Sequence, residues 1–200
     1  GVGSSGIQSI PVLAEQARHL TVFQRTPNYS IPSQNEPMTA DYEKLWKDDY
    51  ASRREEMRYT PHGSLKDLND KSALSANEEE RQLTYQKRWE IGGAGYLGAF
   101  NDLLTNIESN DTASEFVREK IREIVKDPVI AEKLSPKTYP IGTKRICIDS
   151  GYFETFNREN VELVDINEMP IEKITSTGLL AAGITYCFDA IIFATGFDAM

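Results

Sequence analysis

The chain begins with Gly1-Val2-Gly3-Ser4-Ser5-Gly6, a turn of the form G-x-G-x-x-G. In dinucleotide-binding folds this turn lets the backbone approach a pyrophosphate closely, and the helix that follows directs its N-terminus at the negative charge. The glycines therefore predict a nucleotide-binding α/β fold in which Gly1, Gly3 and Gly6 lie against the cofactor.

The residue that reads the adenosine ribose is expected about twenty positions after the turn, at the end of the next strand. An Asp or Glu there accepts a hydrogen bond from a free 2′-hydroxyl, whereas an Arg suits a 2′-phosphate. This chain has Gln24-Arg25-Thr26 at that place and no acidic residue. Arg25 therefore favours NADP(H) over NAD(H).

The residues between these two signals have the pattern that the fold requires. Residues 5–19 carry apolar side chains at close to helical spacing, and Pro11 is expected to bend the first turns. Residues 20–23 are a short β-rich run that predicts the next strand. A glycine turn placed by chance before an ordinary helix is the alternative, and the joint position of helix, strand and Arg25 argues against it.

The composition excludes several classes of partner. With 31 acidic against 22 basic residues and a net charge of −9, there is no electrostatic case for nucleic acid or an anionic membrane. No transmembrane run and no signal peptide are visible, so a cytoplasmic protein is expected. Cys147 and Cys187 share no metal-type spacing with each other or with His19 and His62, which predicts buried free thiols and no metal site.

The chain divides by composition into three parts, and the fold class predicted is α/β, a Rossmann-like NADP-binding domain interrupted by a large helical insertion. Residues 1–37 are the first part of the NADP-binding domain, residues 38–137 the helical insertion, and residues 138–200 the return part. The helices expected in the insertion cover 41–57, 77–89, 95–104 and 113–125. The strands expected in the return part cover 161–164, 171–174, 185–188 and 190–193.

A second motif, Ala194-Thr195-Gly196-Phe197-Asp198, follows the apolar run Ile191-Ile192-Phe193. Taken alone, it is typical of a core strand that ends in a glycine turn. In combination with the first turn, an A-T-G-F/Y sequence is what flavin-dependent monooxygenases show where their nucleotide and flavin domains connect.

These stretches together resemble class B flavoprotein monooxygenases, and most closely the Baeyer–Villiger monooxygenases. The matching segments are 1–8, 22–27, 142–145, 149–157, 161–165 and 193–199. The resemblance implies an enzyme that uses NADPH to reduce FAD and inserts one oxygen atom of O₂ next to a ketone carbonyl, giving an ester or lactone. A small ketone and O₂ would then be its partners, and no protein partner is evident.

The resemblance also implies roles for single residues. Arg145 matches the arginine that stabilises negative charge on the oxygenated flavin and on the substrate, a task that suits a guanidinium because it cannot be neutralised. Lys144 matches the lysine that joins Arg25 on the 2′-phosphate. A solvated basic pair in a loop is the alternative for both. The cofactor-binding residues implied are Gly1, Gly3, Ser4, Ser5, Gly6, Ile7, Gln8, Arg25, Thr26, Lys144, Thr195 and Gly196.

Other features of that family are missing from this sequence: the FAD fingerprint, the F-x-G-x-x-x-H signature and the substrate cap. We therefore expect a partial sequence that ends at the link to an FAD domain, with FAD bound mainly by parts of the parent outside it. Two other interpretations stay open. One is a related flavin enzyme that oxygenates amine or sulfur nucleophiles, against which the insertion and residues 142–145 argue. The other is an NADP(H)-binding module without flavin.

Overall fold

The computed structural model describes residues 1–60, 63, 65 and 68–196, so His62 and the motif residues Phe197 and Asp198 lie outside the described residues. The helices are α1 (Ser4–Gln16), α2 (Ala40–Lys47), α3 (Tyr50–Met57), α4 (Glu78–Ile91), α5 (Ile107–Ile124), α6 (Pro128–Leu134) and α7 (Tyr152–Thr155). The strands are β1 (Leu20–Gln24), β2 (Ser30–Pro32), β3 (Cys147–Asp149), β4 (Val161–Asp165), β5 (Ile171–Thr175), β6 (Gly178–Ala181) and β7 (Ile184–Cys187). Two short 3₁₀ helices cover Ala73–Ser75 and Gly93–Gly98.

The described strands form three small sheets. β1 pairs with β4 and β2 with β3, both in parallel, while β5, β6 and β7 form an antiparallel meander. In the first pair Gln24 lies opposite Asp165. Because parallel strands end at the same edge of a sheet, the residues that follow β1 and β4 meet there, and Asn167 Nδ2 donates to the carbonyl of Arg25 at 2.5 Å.

Helix α1 packs its apolar face inward and leaves its first turn open. Ile7, Ile10 and Ala14 are buried against the rest of the core, and the helix contacts β3 and α7. The helix runs through Pro11 without a break, although the sequence predicts a bend in its first turns. The 3.6-residue spacing of the apolar side chains therefore decides this element in spite of the proline.

Helices α2 to α6 lie between β2 and β3 along the chain, and the described residues of this stretch contain no strand. Polar side chains begin the longer ones. Asn77 accepts from the N–H of Glu80 at the start of α4, and Asn106 does the same for Glu108 and Ser109 at the start of α5. Such caps satisfy N–H groups that have no partner within the helix, which fixes where each helix begins.

An aromatic cluster forms the interior of this helical block. The ring of Tyr85 lies 5.4 Å from that of Phe100 and 5.5 Å from that of Phe116, measured between centroids, and Tyr96 completes the group. All four side chains are buried, as are Val117 and Ile121 on the same face of α5. The cluster continues into Tyr152, Phe153 and Phe156.

The structure corrects three further expectations. Residues 190–193 form no strand, because no described strand pairs with them, and Ile192 and Phe193 are 60% and 66% exposed. Residues 95–104 form no α-helix but a 3₁₀ helix followed by turns, since glycines at 92, 93, 95 and 98 make the α-helical backbone costly there. Cys187 is exposed on β7, so of the two free thiols only Cys147 is buried.

The molecule is thus a mixed α/β structure, and its division at residues 37 and 137 stays a prediction. Among the described residues, no helix is both long enough and apolar enough to cross a membrane.

Candidate nucleotide-binding site

The first and third glycines of the opening turn are required by close packing of backbone on backbone. A Cβ on Gly6 would lie 2.1 Å from the carbonyl oxygen of Gly1, and a Cβ on Gly1 would lie 2.1 Å from that of Ala194. The same contact places the second motif beside the turn, with Thr195 and Gly196 exposed next to it. The two motifs, distant in sequence, therefore meet at one place.

Gly3 differs from these two glycines because it faces open space. No atom lies within 4 Å of where its Cβ would be, and Gly3, Ser4 and Ser5 are all exposed. Gly3 is the N-cap of α1, no side chain caps the helix, and its first turn contains no acidic residue. The open first turn, with its N–H groups and the positive end of the helix dipole, fits an anionic ligand.

Not every residue predicted in this stretch is available to a ligand. The side chain of Ile7 is fully buried and its N–H donates to Gly3 O at 2.8 Å, so the structure assigns Ile7 to the core. Gln8 is exposed, and its Nε2 donates to Ile148 O at 3.3 Å, which ties α1 to β3. Of the cofactor-binding residues predicted in α1, the exposed ones are therefore Ser4, Ser5 and Gln8.

Two buried titratable groups, the Cys147 thiol and the Asp149 carboxyl, lie under the start of α1, and both serve the packing of the fold. Burial raises the pKa of the Cys147 thiol, whose Sγ lies 3.6 Å from Ser4 Oγ, so the thiol is a neutral packing group. Burial also raises the pKa of Asp149. Ser30 donates to this carboxyl from β2, and the N–H of Tyr152 donates to it at 3.0 Å. These contacts join β2, β3 and α7 under the turn.

Arg25 and Thr26 lie where β1 ends, as the ribose-reading position requires. Both line an open groove of about 770 Å³, together with Asp165, Asn167 and residues of the α6 region that include Pro128, Val129, Glu132 and Lys133. The Arg25 side chain is exposed and makes no ion pair among the described residues. The guanidinium is therefore free to meet a phosphate in this groove.

Lys144 and Arg145 lie on an exposed loop before β3. The Lys144 ammonium stands 4.3 Å from the centroid of the Tyr139 ring, a cation–π contact. Neither cation has an ion-pair partner in the part of the chain that the structure describes. The loop is anchored at its base, where Asn110 Nδ2 donates to Ile141 O at 2.8 Å and the Ile141 N–H donates to Asn110 Oδ1 at 3.1 Å.

Two residues that no motif singles out connect these parts. Asn28 Nδ2 donates to the carbonyl of Val2, inside the glycine turn, at 2.6 Å. The Tyr139 hydroxyl, 2.8 Å from Pro27 O and 2.9 Å from Asn28 Oδ1, donates to both. The glycine turn, the segment after Arg25 and the ring under Lys144 thus form one hydrogen-bonded unit. Sequence reasoning misses it because Asn28 and Tyr139 are 111 positions apart.

No group of three or more His, Cys, Asp or Glu side chains that could hold a metal ion occurs among the described residues. The site is therefore built from an open helix N-terminus, backbone groups and unpaired cations, which is a chemistry suited to a phosphorylated ligand.

Comparison with known proteins agrees with the resemblance drawn from the motifs. No protein-family model matches the chain. Cyclohexanone 1,2-monooxygenase of an Acinetobacter species is 42% identical over 207 residues, which covers 100% of this chain and 37% of the relative. Phenazine N-monooxygenase of Lysobacter antibioticus is 37% identical, with coverage of 100% and 37%. The chain thus spans about 37% of the length of these curated relatives.

Solved structures give the same result. An oxidised steroid monooxygenase bound to NADP superposes with a TM-score of 0.96 at 51% identity, covering 100% of this chain and 38% of that one. OTEMO in complex with FAD and NADP superposes with a TM-score of 0.96 at 41% identity, covering 99% and 37%.

Proposed function

We propose that this chain, which is homologous along its whole length to a segment of the Baeyer–Villiger monooxygenases, is the NADP(H)-binding part of a flavin-dependent monooxygenase. Residues 1–37 and 138–200 would form a Rossmann-like domain, and residues 38–137 its helical insertion. FAD would be bound mainly by parts of the protein outside this chain. The reaction proposed is insertion of one oxygen atom of O₂ next to a ketone carbonyl.

Two features that suit anions support the proposal together: the open first turn of α1 and the arginine that follows β1. The first turn of α1 is open and uncapped in front of Gly3, and Arg25 is unpaired in the groove at the end of β1. A dinucleotide with a 2′-phosphate carries negative charge at two points, the pyrophosphate and the ribose phosphate. The structure offers an unpaired positive group for each of them.

Each candidate residue would then bind a particular part of the cofactor. The N–H groups of Ser4 and Ser5 would bind the pyrophosphate, as Gly3 leaves room for it. Arg25, Thr26 and Lys144 would bind the 2′-phosphate. Thr195 and Gly196, which lie beside Gly1, would contact the cofactor from the opposite side of the turn.

Arg145 would serve the chemistry. A bound flavin supplies electron transfer from NADPH and the activation of O₂. The guanidinium of Arg145, which is exposed and has no ion pair among the described residues, would stabilise the negative charge that develops during oxygen transfer. An arginine keeps its charge in such a site, whereas a lysine can lose its proton.

A second candidate function is oxygenation of a nitrogen atom. It is favoured by one observation: the relative from Lysobacter antibioticus, whose name describes a phenazine N-monooxygenase, aligns with the whole of this chain. The NADP-binding segment is thus compatible with either acceptor. Incubating the full-length protein with NADPH, O₂ and either cyclic ketones or aromatic nitrogen heterocycles, followed by product analysis, distinguishes an ester or lactone from an N-oxide.

The test of the main proposal is Arg145→Ala in the full-length protein. Flavin reduction by NADPH, followed by stopped-flow absorbance, should be retained. Product formation should fall by a factor on the order of 10²–10³, with the consumed NADPH appearing as hydrogen peroxide. Arg158→Ala, at an exposed arginine after α7, is the matched control. Normal ester yield per NADPH in Arg145→Ala would show that this arginine has another role.

A further inference from the structure

We propose that Tyr139 is a positioning residue, which together with Asn28 fixes the Lys144 ammonium relative to the glycine turn so that the lysine selects a 2′-phosphate. The inference rests on the proposed NADP(H) function and adds to it a residue outside the motifs. It concerns how the chain holds its second cation, which forms no ion pair among the described residues.

The first step is that Tyr139 is tied to the glycine turn. Its hydroxyl lies 2.8 Å from Pro27 O and 2.9 Å from Asn28 Oδ1, so one proton is shared between two acceptors. Asn28 in turn donates to Val2 O at 2.6 Å. Two hydrogen bonds thus separate the Tyr139 hydroxyl from the backbone on which a pyrophosphate would rest.

The second step is that Lys144 depends on Tyr139 for its position. The side chain is exposed, makes no ion pair among the described residues, and its ammonium lies over the Tyr139 ring at 4.3 Å from the centroid. A free lysine has many rotamers to lose when it binds an anion. A ring that restricts those rotamers beforehand lowers this cost and leaves the charge available, because a cation–π contact does not neutralise it.

The third step is that the ring itself is held rigidly. The rings of Tyr139 and Tyr29 pack edge to face, with centroids 5.6 Å apart, and Tyr29 is buried. Burial raises the pKa of Tyr139 to about 12, so its hydroxyl stays protonated and donates throughout the neutral range. Ile141 is hydrogen-bonded to Asn110 on α5. Together with the contacts of Tyr139, these bonds fix the loop on both sides of Pro140.

The experiment measures the dissociation constants of NADP⁺ and NAD⁺ by calorimetry on the full-length protein and on four variants: Tyr139→Phe, Lys144→Ala, the double variant, and Tyr85→Phe. The ratio of the two constants reports the 2′-phosphate alone and does not depend on turnover. Tyr139→Phe keeps the ring but removes the hydroxyl that anchors it. Tyr85→Phe is the matched control, because it removes a hydroxyl that donates or accepts at 2.7 Å from Thr112 Oγ1 within the helical block.

We expect Tyr139→Phe to lower the preference for NADP⁺ by about three- to tenfold through weaker NADP⁺ binding, with NAD⁺ affinity unchanged. In the Lys144→Ala background the same change should have no further effect, because the lysine that it positions is gone. Tyr85→Phe should keep the full preference.

An unchanged preference in Tyr139→Phe, an equal loss for both nucleotides, or additive effects in the double variant would overturn the inference while leaving the NADP(H) assignment intact. A parent protein without any preference for NADP⁺ would overturn both. Thermal melting of each variant checks the fold. If Tyr139→Phe does not fold, Asn28→Ser, which removes the acceptor Asn28 Oδ1, is measured in its place. Because it also removes the bond to Val2 O, both nucleotides should bind more weakly, and the ratio of the two constants decides: a lower NADP⁺ preference supports the inference and an unchanged one overturns it.

Discussion

Most cations of residues 38–137 form ion pairs, whereas the three predicted cations of the candidate site form none among the described residues. On α5, Arg122 contacts Glu115 at 2.7 Å and Glu132 of α6 at 2.7 Å. Arg25 and Arg145, at the other side, form no ion pair among the described residues. An ion pair fixes and neutralises both partners, so its charges contribute to stability. In a chain of net charge −9, unpaired cations near an open helix N-terminus indicate a place for an anionic ligand.

The two regions also differ in what fills them. The helical block is held by buried aromatic rings around Phe116, whereas the glycine turn is built from backbone atoms in contact with backbone atoms. The comparison indicates that one region provides stability and the other provides binding. If it is correct, substitutions in each region should affect one property and spare the other.

The largest effect is expected for Phe116→Ala. Phe116 is 3% exposed, and its removal leaves a cavity among Tyr85, Trp89 and Tyr96, which should cost about 3–5 kcal/mol of the free energy of unfolding. Denaturant unfolding measures the loss, and the NADP⁺ to NAD⁺ preference of the folded protein should not change. Leu83→Ala, at an exposed position of α4, is the control. A changed preference would show that the two regions are not independent.

Arg25→Ala should have the converse effect. Loss of a charge-assisted contact of about 1.5–3 kcal/mol should weaken NADPH binding about ten- to a hundredfold, while NADH binding and stability stay near those of the parent. Arg18→Ala is a matched control, because Arg18 is also exposed but precedes β1 at its opposite end. Equal weakening of both cofactors would mean that Arg25 supports the fold and does not select the phosphate.

Gly6→Ala and Gly3→Ala test the comparison within a single turn. At Gly6 the new methyl would lie 2.1 Å from Gly1 O, and backbone cannot rotate away as a side chain can. We expect a loss of about 1–3 kcal/mol, more than the helix propensity of alanine returns. At Gly3 the space is empty, so stability should change by less than about 0.5 kcal/mol while nucleotide binding weakens. Unfolding curves and calorimetric titrations of both variants provide the comparison.

The elements that the sequence predicts well are those with a local signal. α1, β1, β4, β5 and α4 have regular periodicity, and their positions are confirmed within a few residues; α5 is also confirmed, but it begins at Ile107, six residues before the predicted start. The short parallel strands β2 and β3 have three residues each, too few for a pattern, and exist because they pair with each other. Residues 190–193 show the opposite case, a strand-like pattern without a partner.

The candidate site was predictable only in its motifs. Gly1, Arg25 and Lys144 stand in recognisable runs, so the sequence singles them out. Asn28 and Asn110, which link those runs, belong to none of the motifs, and their partners are distant along the chain. A side chain that positions another one is not marked by a sequence motif. Its role depends on how close the two residues lie in space and not on which residues are next to it in the sequence.

The smallest effect concerns the paired charges of the helical side. Hydrogen bonds from Arg122 and then Lys137 lower the pKa of Glu132 from 4.5 to about 2. A carboxyl whose pKa is lowered by folding contributes stability above its unfolded pKa and loses it as the pH falls through the folded value. The Glu132 side chain is 43% exposed, so screening limits the contribution to about 1 kcal/mol or less. Glu132→Gln should therefore unfold slightly more easily at neutral pH and show a shallower loss of stability between pH 4.5 and about 2.

Glu119→Gln is the control. It removes the same charge from an exposed position of α5 without a described ion pair, and it should keep the slope of stability against pH that the parent shows. Denaturant midpoints measured across this pH range give the change of stability with pH for each variant. An equally shallow change in both variants would contradict the interpretation, because the pH dependence would then follow the net charge and not the ion pair.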